Sequence, residues 1–294
     1  MIITTNNPIK QHTLPKTYLK HFALDDQTTY IFRHKSKKIT QEHVKNISVI
    51  KDYYTFEKAD GIKNYDLEKT WGTNLEPFYE SIFKMISLGI PLESAHERAL
   101  SYILASQKLR VPLASKKIVS EIKNAFLYNE TGDYLNDVQD INELKQEFFY
   151  DQRPISKSEA LLKLKEEGKE SLSIKVSHGA YIQFIIDRTL SLADEYLLNG
   201  WFFVVSPNKR LFTVSDNPII KIDKNEIPFL TSDFEFMPIN EKIGIVIGLH
   251  LDEYVKLDTK HVKLLNKKMV SNSSSFVISS SKPLLENLIN RYLN

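Results

Sequence analysis

The chain has 294 residues, 42% hydrophobic and 26% charged, an ordinary globular balance that excludes wholesale disorder and collagen-like repeats. Lys and Arg number 39 against 37 Asp and Glu, so a net charge of +2 supplies neither a broad basic footprint nor an acidic cation trap. Cysteine is absent, which excludes disulfides, thiol nucleophiles and thiolate zinc sites and fits a reducing compartment.

The opening Met1-Ile2-Ile3-Thr4-Thr5-Asn6 lacks a basic region followed by an apolar core, so no secretory signal is expected. Leu14, Tyr18, Leu19 and Phe22 recur at helical spacing, with Pro15 suited to a first turn. Thr28 to Phe32 is β-branched and aromatic and predicts a strand. Arg33 to Lys38 then forms a basic hairpin tip, and Ile39-Thr40 begins the return. Asp52 to Phe56 reads as a further extended segment. From Leu67 through Trp71, Leu75, Phe78, Ile82 and Met85 runs one apolar stripe of about six turns, interrupted by Gly72 and Pro77, where a kink is expected. Leu92 to Leu104 predicts the next helix. Val111 before Pro112 starts a new segment. Lys116 to Leu127 and Ile141 to Phe149 predict two more helices. Ser156 and Glu159 have capping-box spacing, and Tyr181 to Leu197 predicts a long core helix that Gly200 ends.

Beyond residue 200 the period changes. Trp201 to Val205 predicts a buried strand, with Arg210 to Val214 as its hairpin partner. Phe234 to Met237, Lys242 to Gly248 and Ser275 to Ile278 predict strands. Thr259 to Val270 and Pro283 to Leu293 predict helices. The expectation is one α+β domain over 1–294, with a mixed, mostly antiparallel sheet built from N- and C-terminal strands. A large central helical insertion packs on it. Its parts are 1–60 (N-terminal helix and strands), 64–199 (helical region) and 200–294 (C-terminal strands and helices). No apolar run reaches bilayer-spanning length, so a soluble cytoplasmic protein without a membrane partner is expected.

Walker, GxGxxG, HExxH and GxSxG motifs are all absent, and so is any cofactor fingerprint. None of the eight histidines stands at metal-ligand spacing with another on one helix. A divalent metal held by Asp, Glu and His converging in space stays open. Four polar clusters remain. His12 precedes the first helix, where it either caps free backbone N–H groups or lines a cleft. Gln107 and Arg110 share a helix face, and Arg110 either meets the helix dipole or aims its fork at a carboxylate or phosphate. Asp216 and Asn217, after a strand, either make an Asx turn before Pro218 or present a carboxylate to a site. Glu68 and Glu76, about two turns apart, form either a solvated face or an acid/base or metal-binding pair. The basic hairpin tip and triplets such as Glu121-Ile122-Lys123 are read as solvated surface.

Taken in order, these clusters carry a resemblance. His12-Thr13-Leu14-Pro15-Lys16-Thr17-Tyr18-Leu19-Lys20-His21-Phe22 resembles the opening His-x-x-Pro-x-x-Tyr-Leu-x-x-Phe pattern of a mainly bacterial family, domain of unknown function 4238. Gln107-Lys108-Leu109-Arg110-Val111-Pro112 is similar to its Gln-x-x-Arg-x-Pro. Ser215-Asp216-Asn217-Pro218 is similar to its Ser-Asp-Asn-Pro, and Phe236-Met237-Pro238-Ile239 to its later hydrophobic-Pro-hydrophobic segment. The resemblance spans nearly the whole chain and implies no particular activity. It does group His12, Gln107, Arg110, Asp216 and Asn217, which points to a common cleft.

Two readings follow. In the first, the protein is a hydrolase or nuclease-like enzyme on a phosphate-bearing substrate, nucleic acid or a nucleotide. His12 is general acid or base, Arg110 holds the anion, and Asp216 orients His12 or a metal. Gln107, Asn217 and Glu76 bind substrate. In the second, it is a binding or interaction protein. His12 then caps a helix, Arg110 pairs with Glu76 or Asp216 inside the fold, and Asp216-Asn217 makes a turn.

Overall fold

The computed structural model describes residues 7–25, 27–57, 62–118, 120, 146–150, 152–167, 172–176, 178–224, 226, 233–251 and 254–293. The N-terminal part contains β1 (Lys10–His12), α1 (Lys16–Leu19), β2 (Thr28–Arg33), β3 (Lys38–His43), β4 (Val49–Lys51), β5 (Phe56–Glu57) and β6 (Lys63–Asn64). Next come α2 (Asp66–Asn74), α3 (Glu76–Ser87), α4 (Ser94–Leu109) and α5, described over 112–118. The middle continues with β7 (Gln146–Tyr150), β8 (Arg153–Ile155), α6 (Lys157–Glu167), β9 (Leu172–Val176) and α7 (His178–Asn199). The last third holds β10 (Trp201–Val205), β11 (Val214–Ser215), β12 (Ile220–Ile222), β13 (Phe234–Pro238), β14 (Ile243–Ile247), β15 (Tyr254–Lys256), α8 (Thr259–Ser271), β16 (Phe276–Ser279) and α9 (Lys282–Tyr292).

The result is an α+β fold with mixed, mostly antiparallel sheets. A five-stranded sheet runs β12-β13-β14-β10-β15, in which only the β10–β15 pair is parallel. A second, four-stranded sheet runs β11-β16-β2-β3. Its centre is the antiparallel register Phe276↔Arg33 to Ser279↔Tyr30, so the N-terminal strands do join C-terminal ones.

Strands β14 and β16 are buried on two faces, which explains their near-continuous apolar runs. Along β14, Ile243, Ile245 and Ile247 enter the main core with Tyr79, Phe83, Ile103 and Ile185. Val246 turns to a second core with Phe202, Phe236, Leu265 and Met269. Along β16, Phe276 and Ile278 face the main core, while Val277 packs with Leu285 and Ile289 of α9.

Several predicted elements are seen. Leu14, Tyr18, Leu19 and Phe22 are all fully buried around α1, with Pro15 in the capping position just before it. In the Ser156–Glu159 capping box, Glu159 N–H donates to Ser156 Oγ at 3.2 Å and Ser156 N–H to Glu159 Oε2 at 2.8 Å. Gly200 ends α7 at φ +71°, a left-handed conformation suited to glycine.

Other expectations are corrected. The stripe from Leu67 to Met85 is two helices, not one kinked helix. Leu75 leaves helical geometry (φ −118°, ψ −47°), and Pro77 opens α3. The restart rephases the apolar face onto Tyr79, Ile82, Phe83 and Ile86 and leaves Phe78 exposed. Asp52 to Tyr54 is a turn rather than a strand, with Asp52 at φ +52°. The helix predicted over Ile141 to Phe149 is strand β7 where described. Its aromatic run favours extended backbone, and β8 and β9 pair with it on both sides. Residues 141–145, and most of the helix predicted over Lys116 to Leu127, lie outside the described residues. Arg210 to Thr213 does not pair with β10, whose edges are taken by β14 and β15. Instead, Phe212 N–H donates to the Glu241 carbonyl and Thr213 N–H to Asn266 Oδ1.

Candidate functional site

Val111 and Pro112 stop α4 at Arg110, whose backbone N–H still closes the last turn onto the Ser106 carbonyl. The stop leaves the Arg110 side chain pointing into the protein, where it is fully buried. Strand β1 pairs with β4 and lays Gln11, His12 and Thr13 alongside it. Gln11 Nε2 donates to Thr55 Oγ1 at 2.9 Å, and Gln11 Oε1 accepts from the Tyr54 backbone N–H at 2.5 Å. These bonds hold the 52–55 turn in place, and Tyr54 OH donates to the Arg110 carbonyl at 2.7 Å.

The guanidinium carbon lies 4.6 Å from the Trp71 ring centre and 5.7 Å from that of Tyr54, so aromatic faces wrap the cation. Arg110 Nη2 donates to the His12 carbonyl at 2.6 Å and lies 3.7 Å from Glu76 Oε1. Nε and Nη1 have no hydrogen-bond partner, and neither has Oε2 of Glu68. Gln107, one turn earlier, accepts from Tyr79 OH at 3.2 Å and donates to the Thr13 carbonyl at 3.4 Å.

The break at Leu75 puts Glu68 and Glu76 on different helices, yet both face Arg110. They are not the solvated face that their type suggests. Burial, reinforced by Glu76, pushes the Glu68 carboxyl up to about 7, against the pull of Arg110 and the His12 backbone N–H. Burial likewise lowers the His12 imidazole, helped by Arg110 and Lys16 and opposed by the Lys45 carbonyl and Glu76. Burial opposes the charge of Arg110, but the surrounding phenols and carboxylates outweigh it and the guanidinium stays protonated. His12 Nε2 lies 3.2 Å from the Lys45 carbonyl. A carbonyl only accepts, so Nε2 carries the proton and Nδ1 is the basic nitrogen of the neutral ring. His12, Glu68 and Glu76 are each partly exposed and form the open side of the cluster.

Four of the six predicted residues therefore meet: His12, Gln107, Arg110 and Glu76, with Glu68 beside them. Asp216 does not join them. Its carboxylate accepts from the backbone N–H groups of Ser274 (3.0 Å), Ser275 (3.0 Å) and Phe276 (3.4 Å) and from Ser274 Oγ (2.5 Å). That is a turn clamp at the entry to β16, and His12 is oriented by a backbone carbonyl in its place. Asn217 also stands apart: Nδ2 donates to the Asn272 carbonyl at 3.1 Å, and the residue lines a separate cleft. Sequence reasoning did not single out Gln11, Tyr54, Trp71 or Tyr79. The available signal was Trp71 lying between Glu68 and Glu76, and aromatic-cation contacts carry no fixed spacing. Among the described residues no set of three His, Asp or Glu side chains is placed to hold a metal ion. Among them, too, no helix is long and apolar enough to cross a membrane.

The family model described as a protein of unknown function (DUF4238) matches residues 10–283, nearly the whole chain. No curated protein and no solved structure matches.

Proposed function

The chain belongs to the DUF4238 family. We propose that it is a cytoplasmic bacterial hydrolase of a phosphate-bearing substrate, a nucleotide or a piece of nucleic acid. The reading rests on one observation. Two adjacent groups beside a buried guanidinium are pushed in opposite directions, Glu68 up to about 7 and His12 below its ordinary value. Between the two values the carboxyl holds its proton while the imidazole lacks one, the pairing that general acid–base hydrolysis needs. His12 Nδ1 takes a proton from water and Glu68 gives one to the leaving oxygen. With Glu68 protonated, Arg110 and Glu76 cancel, so an anionic substrate meets no net negative charge. Arg110 itself is fully buried, so it acts on the anion through its charge and not as a hydrogen-bond donor. Asp216 has no part in this reading, and no step needs a metal.

The test is hydrolysis of bis(p-nitrophenyl) phosphate and of a single-stranded oligonucleotide by the full chain. A bell-shaped profile is expected, with its acid limb below pH 6.5 from His12 and its alkaline limb near pH 7 from Glu68. His12→Ala and Glu68→Gln are each expected to fold and to lower kcat by about 100-fold or more. Wild-type rates in both variants would end the proposal. A second reading, a non-enzymatic interaction protein, is favoured by the bonds of Arg110 to the His12 carbonyl and Glu76, which tie β1, α3 and α4 together. Under that reading no variant alters any activity, and Arg110→Ala acts on stability alone.

A further inference from the structure

A cleft of about 530 Å³ opens beyond the C-terminal end of α4 and shares no residue with the Arg110 cluster. That volume falls within the range of small-molecule pockets, roughly 300–1,000 Å³. Among the described residues its charged lining is one-sided: Lys108, Lys117, Arg188, Lys221 and Lys268 against one acid, Glu235. Glu235 is already engaged, accepting from Lys108 Nζ at 2.6 Å and from Tyr196 OH at 2.5 Å. Arg188 pairs with Glu195, and Lys268 with Asp223 at 2.8 Å and Glu226 at 2.5 Å. Among the described residues, Lys117 and Lys221 have no ion-pair partner. Lys117 comes from α5 and Lys221 from β12, so two separate elements each bring an unpaired ammonium to one cleft. Leu109, Ile118, Phe184 and Ile219 supply an apolar wall beside them.

We propose that this cleft binds a small amphipathic organic anion. Its apolar body lies against Leu109, Ile118, Phe184 and Ile219, and its headgroup is held by Lys117 and Lys221. A neutral apolar ligand leaves both ammonium groups unused, and a cation meets repulsion from both. Carboxylate and phosphate headgroups share the required charge. The site is independent of the proposed hydrolase centre, and either assignment stands if the other fails.

Calorimetric titration of the full chain with decanoate, decyl phosphate and decanol tests it, because the three probes carry tails of matched length. One equivalent of at least one anion is expected to bind, about tenfold or more tighter than decanol. Lys117→Glu/Lys221→Glu, both at exposed positions, is expected to weaken that anion about tenfold or more and to leave decanol unchanged. Glu68→Gln is expected to alter neither. Which anion binds more tightly assigns the headgroup class. No anion binding, decanol binding equal to the anions, or anion affinity unmoved by the charge reversal would each overturn the proposal.

Discussion

Arg110 carries a full charge with no exposed surface, and its attachments are few: one carbonyl at 2.6 Å, one carboxylate at 3.7 Å and two aromatic faces. Removing it leaves Glu76 and Glu68 facing each other without the cation between them. Arg110→Ala is therefore expected to lower unfolding stability by about 3 kcal/mol, measured by chemical denaturation. Arg110→Lys restores little, because an ammonium lacks the flat face that Trp71 covers. Glu68 gives a pH signature of opposite sign to an ordinary ion-paired carboxylate. Folding raises it from 4.5 to about 7, so the folded chain holds its proton more tightly. The associated stability is complete below about pH 4.5 and is lost as pH rises through about 7. Glu68→Gln keeps the uncharged form, and should raise unfolding stability at pH 8 relative to pH 5 by about 1–3 kcal/mol, measured by chemical denaturation at both pH values. His12 works the other way. Its lowered value costs stability below its ordinary 6.5, so His12→Gln is expected to help only in acid.

Among the elements, the β13–β14 pair depends on the absence of one side chain. A Cβ at Gly244 falls 2.2 Å from Phe236 Cε2 and 2.7 Å from Cζ, in a sheet packed on both faces. Gly244→Ala is expected to destabilise by about 1–3 kcal/mol in a denaturant titration, with partial recovery when Phe236→Leu makes room. The Asp216 clamp is a second device of this size. The run Ser271-Asn272-Ser273-Ser274-Ser275 has little propensity of its own, and Asp216 gathers its last N–H groups so that β16 starts in register against β2. Elements with a strong single period were legible beforehand: α4, α7, β10, β14, α8 and α9 all lie where spacing put them. The short strands β1, β4, β12 and β15 were not, because three residues show no period and owe their conformation to partners distant in the chain.

For the whole molecule, β16 is the strand that closes the four-stranded sheet, standing between β11 and β2. Thr29 Oγ1 donates to the carbonyls of both Phe22 and Ser279, and Tyr18 OH to that of Pro238, so the N-terminal helix and strands are bonded to residues more than 200 positions away. A chain ending before β16 is therefore expected to lose the N-terminal fold too, seen as rapid proteolysis of residues 10–57. Persistence of a protected N-terminal fragment would contradict the one-unit organisation expected from the sequence. The intact chain is expected to unfold in one transition by fluorescence and circular dichroism.

Composition, period and breakers were enough to reach the α+β class, the union of N- and C-terminal strands, and a short list of polar residues, because those follow from local propensity and from the need to bury apolar faces. Ordered motifs also grouped His12, Gln107 and Arg110, which do meet. Only tertiary packing decided that Glu68 and Glu76 turn inward onto Arg110, that Tyr54 and Trp71 wrap it, and that Asp216 serves a turn. Those outcomes depend on where a broken helix rephases and on which backbone N–H groups a distant loop leaves open. Neither is encoded in any short stretch of chain.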